Sequence, residues 1–219
     1  MRSRFEEQLT YLNDSLIEMG ELVEQAIADA NKALVEQDTE LAKKAKSHEN
    51  EINGMEREME GLCLKLILQQ QPVAGDLRLI SSVLKIITDL ERIGDHATDI
   101  STLTISLAKK QYVKKLDHIP LMAAATMKMV TESIDAFVKK DLELAQKVIN
   151  DDDIVDNLFN TVRDDLIELL KSSTSNSDQV IDLIMVAKYF ERIGDHATNI
   201  AEWVVFSLTG IHKDIKIMR

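Results

Sequence analysis

One cysteine, two prolines and seven glycines in 219 residues leave this chain short of the usual breaks and cross-links. Cys63 is alone, so no intramolecular disulfide can form, and a reducing cytoplasm is the natural setting. Its place between Leu62 and Leu64 reads as a small core filler. So few turn formers argue against a β-rich or α/β fold with many tight turns. Aromatics reach only 4%, while Leu, Ala, Ile, Glu and Lys dominate, which is the composition of long helices. No apolar run is long enough for a membrane span: the most apolar tail stretch, Trp203–Ile211, falls far short of the ~20 residues required. Met1–Gln8 is charged and has no apolar segment, so no signal peptide is expected. Basic residues are outnumbered, 26 Lys and Arg against 38 Asp and Glu, for a net charge of −12. That balance repels nucleic acid. The basic clusters at Lys109–Lys115 and near the C-terminus read as solvated helix ends, and an acidic surface suits cations and basic partner faces.

What is present is helical periodicity. Phe5, Leu9, Leu12, Leu16, Met19, Val23, Ala26, Ala30 and Ala33 alternate spacings of four and three. A second stripe runs through Leu41, Ala45, His48, Ile52, Met55, Met59, Leu62 and Leu66, and a third through Leu79, Val83, Ile86, Leu90, Ile93, Ala97 and Ile100. Three more follow. One runs from Ala123 to Phe137, one from Ala145 to Leu169, and one from Leu183 through Phe190 and Ile193 to Val204. Such stripes pack helices into left-handed antiparallel bundles. Asp38, Asp76, Asp141 and Asp178 are the expected helix caps, the segment 71–76 and the Ser/Thr/Asn-rich turn 172–177 are breaks, and Pro120 suits a first turn. The expected fold is all-α: six long helices forming two tandem, pseudo-symmetric antiparallel three-helix bundles, residues 1–112 and 113–219.

The duplication is explicit. Glu-Arg-Ile-Gly-Asp-His-Ala-Thr occurs at 91–98 and again at 191–198. Upstream, Val35, Asp38, Leu41 and Ala42 match Val138, Asp141, Leu144 and Ala145 at an offset of 103. A period near 100 is too long for a solenoid unit and marks a doubled bundle.

Each octapeptide carries chemistry. Glu91, Asp95 and Asp99 stand at i, i+4 and i+8, so successive carboxylates turn only about 40° around a helix and climb one side of it. Glu191 and Asp195 repeat the first two members. Like charges at this spacing oppose the helix by a few tenths of a kcal/mol per pair, and a mid-helix Gly94 costs roughly 1 kcal/mol more. The sequence carries both costs twice. One explanation is packing alone: Gly94 and Ala97 allow close helix approach, Arg92 pairs with an acid, and the carboxylates form a wet face. The other is a hard-cation site built from oxygen ligands. Asp152 and Asp156 form a further acidic pair, matched 103 positions earlier by Glu49 and Asn53. If helices two and three of each unit are antiparallel neighbours, Glu49 and Asn53 face Glu91 and Asp95, and Asp152 and Asp156 face Glu191 and Asp195. No Glu-x-x-His pair of the di-iron type occurs, nor a phosphate loop, a His-Glu-x-x-His zinc motif or a Gly-x-Ser-x-Gly elbow. His96 and His196, one place after the aspartates, read as hydrogen-bonded structural or supporting side chains rather than ligands.

The doubled octapeptide within two tandem three-helix units resembles the PhoU family of phosphate-uptake regulators over nearly the whole chain. The resemblance implies a cytoplasmic, non-enzymatic negative regulator of phosphate transport and of the phosphate-starvation response. It implies contacts with a Pst-type phosphate ABC transporter and a PhoR-type sensor histidine kinase, and it leaves a homodimer open. It also implies divalent or trivalent metal ions (iron, zinc, manganese or calcium) on the bundle surface. Carried over by position, the implied ligands are Glu91 and Asp95 with Glu49, and Glu191 and Asp195 with Asp152 and Asp156, and the helical spacing adds Asp99 to the first set. Asn53 and Asn199 depart from the acidic pattern, so the two sites are expected to differ. The competing function is a metal-dependent hydrolase or oxidase using the same carboxylates.

Overall fold

The computed structural model describes residues 2–70, 72–172 and 175–212. Gln71, part of the turn 172–177 and the basic tail from residue 213 lie outside the described residues. Six helices follow one another: α1 (Arg2–Glu36), α2 (Thr39–Gln70), α3 (Ala74–Leu107), α4 (Ile119–Lys139), α5 (Leu142–Ser172) and α6 (Ser177–Thr209). α1, α2 and α3 pack mutually as one bundle, and α4, α5 and α6 as the other. The apolar stripes explain this: Leu12, Leu16, Met19 and Val23 of α1, Val83, Ile86 and Leu90 of α3, and Val186, Phe190 and Ile193 of α6 are all sealed from solvent. Cys63 is buried among them, and burial pushes its thiol up to about 12, well into the unreactive range.

The first hairpin of each bundle is built by the same device. Gln37 and Lys140, each at φ 54°, end α1 and α4 in the left-handed conformation. Asp38 then donates its backbone N–H to Ala33 O, and Asp141 does the same to Ala136 O. The Asp38 carboxylate accepts from the N–H groups of Glu40 and Leu41, and that of Asp141 accepts from Leu144. Both are the caps the sequence predicts. Asp76 and Asp178 are not caps. α3 and α6 start two or one residues earlier, after Val73 and Asn176, so these aspartates fall inside the first turn. There they still oppose the positive end of the helix dipole. Pro120 lies in the first turn of α4 as expected.

His48 also departs from its expected place in the apolar stripe. Its Nε2 lies 3.1 Å from the Asp29 carboxylate of α1, which further accepts from Lys44 at 3.0 Å and Gln25 at 2.8 Å. The same four stations recur 103 positions on as Asp151, Glu132, Lys147 and Lys128, where Lys147 bridges Glu132 and Asp151. Each bundle thus fastens its first two helices with a charged clasp.

The bundles join side by side. α3 and α6 lie against each other along their length. Asp89 touches His196, His96 stacks on Tyr189, Lys85 lies over Trp203, and Arg78 abuts Gly210. As the numbers fall on α3 they rise on α6, so the pair is antiparallel about a pseudo-twofold axis near Arg92 and Arg192. A second contact joins α1 to α4, where Ile134 fills the space that a side chain at Gly20 would take. One continuous apolar core therefore runs through both units.

Candidate functional site

The octapeptides occupy the middle of α3 and α6, where each helix is packed on two sides. Gly94 sets the approach of its neighbouring helix, while Gly194 faces its neighbour at ordinary contact distance. A Cβ at Gly94 would stand 2.8 Å from Ile52 Cδ1 of α2, and one at Gly194 would stand 3.5 Å from the Asp152 carboxylate of α5. This close approach carries the acidic residues of α2 and α5 up to the ladders. The packing role of these glycines and the gathering of charge are one arrangement.

In the first unit, burial and then Asp95 raise Glu91, with Glu56 and Glu49 pushing the same way and Arg92 opposing. Burial, Asp95 and Glu49 likewise raise Asp99. The expected facing of Glu49 with the α3 ladder is present, and Glu56 joins it. Glu56 stands seven residues after Glu49, on the same face of α2, and that spacing was its signal in the sequence. Asn53 lies between them with its Oδ1 buried and without a hydrogen-bond partner. Arg92 spans Glu91 at 3.4 Å and Asp95 at 3.0 Å.

In the second unit the crowding is tighter. Burial raises Asp152 to about 6, with Asp195, Asp156 and Glu191 adding to the shift. Asp195 is raised by burial first and Glu191 second. Glu191 is largely enclosed, with one oxygen 2.5 Å from Lys188 Nζ and the other buried without a hydrogen-bond partner. Lys188 has Thr88 as its counterpart in the first unit, and Phe159, beneath Lys188, stands where the first unit has Glu56. The units therefore differ by more than Asn53 and Asn199: one adds an acid, the other a cation and an aromatic ring.

Among the described residues no three His, Cys, Asp or Glu side chains converge tightly enough to hold an ion as they stand. The donor chemistry nonetheless fits a hard cation. Carboxylates from two helices push one another's protonation upward in both units, and a buried Glu191 oxygen lacks any partner.

The rings of His96 and His196 lie in the α3–α6 seam, beside the ladders. His196 Nδ1 bonds Asp89 at 2.8 Å, and Asn199 reaches the same oxygen at 3.3 Å. His96 meets Tyr189, which stands at the position equivalent to Asp89, so it stacks instead of hydrogen-bonding. Its Nδ1 is buried without a hydrogen-bond partner, with the Asp99 carboxylate 3.8 Å away, which corrects the expectation of a hydrogen-bonded side chain for this residue. Burial, followed by the charges of His196, Arg192 and Arg92, pushes His96 down to about 4.

Comparison with known proteins places this architecture. The PhoU domain family matches residues 16–104 and 119–204. The phosphate-specific transport system accessory protein PhoU homolog of Clostridium acetobutylicum is 36% identical over 98% of both chains. The homolog of Aquifex aeolicus is 36% identical over 84% of each. The crystal structure of PhoU from Pseudomonas aeruginosa superimposes with a TM-score of 0.91 at 35% identity, covering 94% of this chain and all of that one. The structure from Streptococcus pneumoniae, a phosphate transport system regulatory protein, gives 0.86 at 26% identity over 94% of this chain and 98% of that one. With both halves matched and relatives aligned over nearly full length, this chain belongs to the PhoU family.

Proposed function

We propose that the chain is a non-enzymatic negative regulator of phosphate transport and phosphate-starvation signalling. It acts by contact with a phosphate ABC transporter and a sensor histidine kinase, from the cytoplasmic side. The names its relatives carry, accessory and regulatory proteins of phosphate transport, support this role. The observation that carries the metal part of the reading is the pair of opposed carboxylate clusters. Glu91, Asp95 and Asp99 meet Glu49 across α2–α3, and Glu191 and Asp195 meet Asp152 and Asp156 across α5–α6. Bound cations would neutralise this charge and offer open coordination positions to an acidic partner surface. The packing of α2 on α3 at Gly94 and of α5 on α6 at Gly194 brings the carboxylates into opposition, while Arg92 and Lys188 partly balance them. His196 is held by Asp89, and His96 stacks on Tyr189 with only its Nδ1 edge 3.8 Å from Asp99. Neither imidazole therefore projects between the opposed carboxylates of the two helices, an arrangement that suits docking better than hydrolysis.

The protein is stripped with a chelator and returned to Mn²⁺, Fe³⁺, Zn²⁺ or Ca²⁺. A cation at a hundredfold excess over its Kd adds about 2.7 kcal/mol, which raises the Tm by roughly 5–10 °C for a chain of this size. The same preparations show no turnover of p-nitrophenyl phosphate. Unchanged melting with every ion removes the metal sites from the account. Metal-dependent turnover that is lost in Glu191→Ala/Asp195→Ala replaces the regulator with a hydrolase.

A further inference from the structure

The pseudo-twofold axis makes the two ends of the molecule internal controls for each other, and they do not match. At one end, the α2–α3 turn lies beside the end of α6, with Arg78 against Gly210. Leu68 is 81% exposed, Val73 71% and Leu77 42%, and Ile211 beyond Gly210 is 50% exposed. At the equivalent end, Lys171 stands for Leu68, Ser177 for Leu77 and Gln111 for Ile211. The fold itself therefore does not require apolar side chains at these positions.

Charge follows the same asymmetry. Between Gly61 and Thr88 the only acidic residue is Asp76, against Lys65, Arg78 and Lys85, and Trp203–His212 has no acid at all. The equivalents of Arg78 and Lys85 are Asp178 and Met185. Arg78 Nε is buried without a hydrogen-bond partner, and Lys85 rests 5.9 Å over the Trp203 ring. These two segments of an otherwise acidic chain thus set a collar of three cations around exposed apolar side chains, with Glu6 and Glu7 of α1 the nearest acids on the side of α2. Glu91, the first acid of the α3 ladder, lies about 21 Å along the helix from Leu77, and Asp89, one turn beyond Lys85, is engaged by His196 and Asn199.

We propose that this tip is a peripheral membrane contact, inserting Leu68, Val73 and Leu77 into an anionic bilayer surface while Lys65, Arg78 and Lys85 meet the headgroup phosphates. Leu68 in the last turn of α2, Val73 before α3 and Leu77 in its first turn project from one end of the hairpin, which suits a continuous apolar phase better than a preformed protein groove. Trp203, with its polar N–H, sits at headgroup height. The basic collar opposes self-association tip to tip. The inference stands on exposure and charge and does not depend on the regulatory reading.

The test is sedimentation of the full chain with sucrose-loaded vesicles of phosphatidylcholine, with and without phosphatidylglycerol. The protein sediments with the anionic vesicles. Leu68→Ser/Val73→Ser/Leu77→Ser lowers its partitioning at least about tenfold while leaving its circular dichroism and melting intact, because all three are exposed. Arg78→Gln/Lys85→Gln removes most of the preference for anionic over neutral vesicles. Ile181→Ser, an exposed apolar residue of α6 near the opposite end, changes neither. The proposal is overturned if wild type does not sediment with anionic vesicles, or if the triple variant sediments as well as wild type. A triple variant that loses only regulation in cells, with no vesicle binding by wild type, assigns the tip to a protein partner instead.

Discussion

At Asp152, burial and three neighbouring carboxylates act in one direction and lift the carboxyl to about 6 from an ordinary 3.8. A folded value above the unfolded one means that the native state is favoured by protonation. The stabilisation is complete below about 3.8 and is lost as pH rises through about 6. In metal-free protein, Asp152→Asn therefore removes a cost that exists only at the higher pH. The variant should gain about 1 kcal/mol over wild type at pH 8, allowing for solvent screening of a half-exposed group, and nothing at pH 4. Melting in the presence of chelator at both values reads this directly. A difference independent of pH would mean that the carboxylates do not crowd one another. Asp29 shows the opposite balance. Burial raises it, but hydrogen bonds from Lys44, His48 and Gln25 outweigh that and leave it lowered.

Between elements, what matters is how near two helices come, and the space at two glycines differs. At Gly194 an added Cβ meets Val155 Cγ1 at 3.4 Å, an ordinary contact, so Gly194→Ala should stabilise the fold by up to about 1 kcal/mol through helix propensity. At Gly20 the side chain of Ile134 already fills the space. Gly20→Val should push α1 from α4 and cost roughly 1–3 kcal/mol. Urea unfolding of both variants checks the pair, and a neutral Gly20→Val would show that the α1–α4 contact is loose. The apolar stripes and the Asp38 and Asp141 caps were legible in the sequence because each follows a local periodicity or a short-range hydrogen bond. The left-handed Gln37 and Lys140 were not, since neither is glycine or asparagine. Nor were the clasps around Asp29 and Glu132, whose partners come from another helix.

Across the whole molecule, the repeat made the two bundles legible, and the i, i+4 acidic spacing located the ladders. The way the bundles join was hidden. Asp89, Tyr189, His96 and His196 look unremarkable in line and become a seam only when α3 and α6 run antiparallel. Glu56 and Lys188 were likewise passed over, because one belongs to a different helix from the octapeptide and the other lies outside it. The seam and the two carboxylate clusters share α3 and α6, so a partner or cation on one face is mechanically close to the join between the units. The central claim is that these acidic faces exert control over phosphate supply. It is tested most directly with a phosphate-starvation promoter fused to a reporter, in cells whose only family member is this chain. With Glu91→Ala/Asp95→Ala/Glu191→Ala/Asp195→Ala, the protein should accumulate and fold, since none of the four lies in the apolar core, and the reporter should be on in phosphate-rich medium. A folded quadruple variant that keeps the reporter off as wild type does would contradict the account.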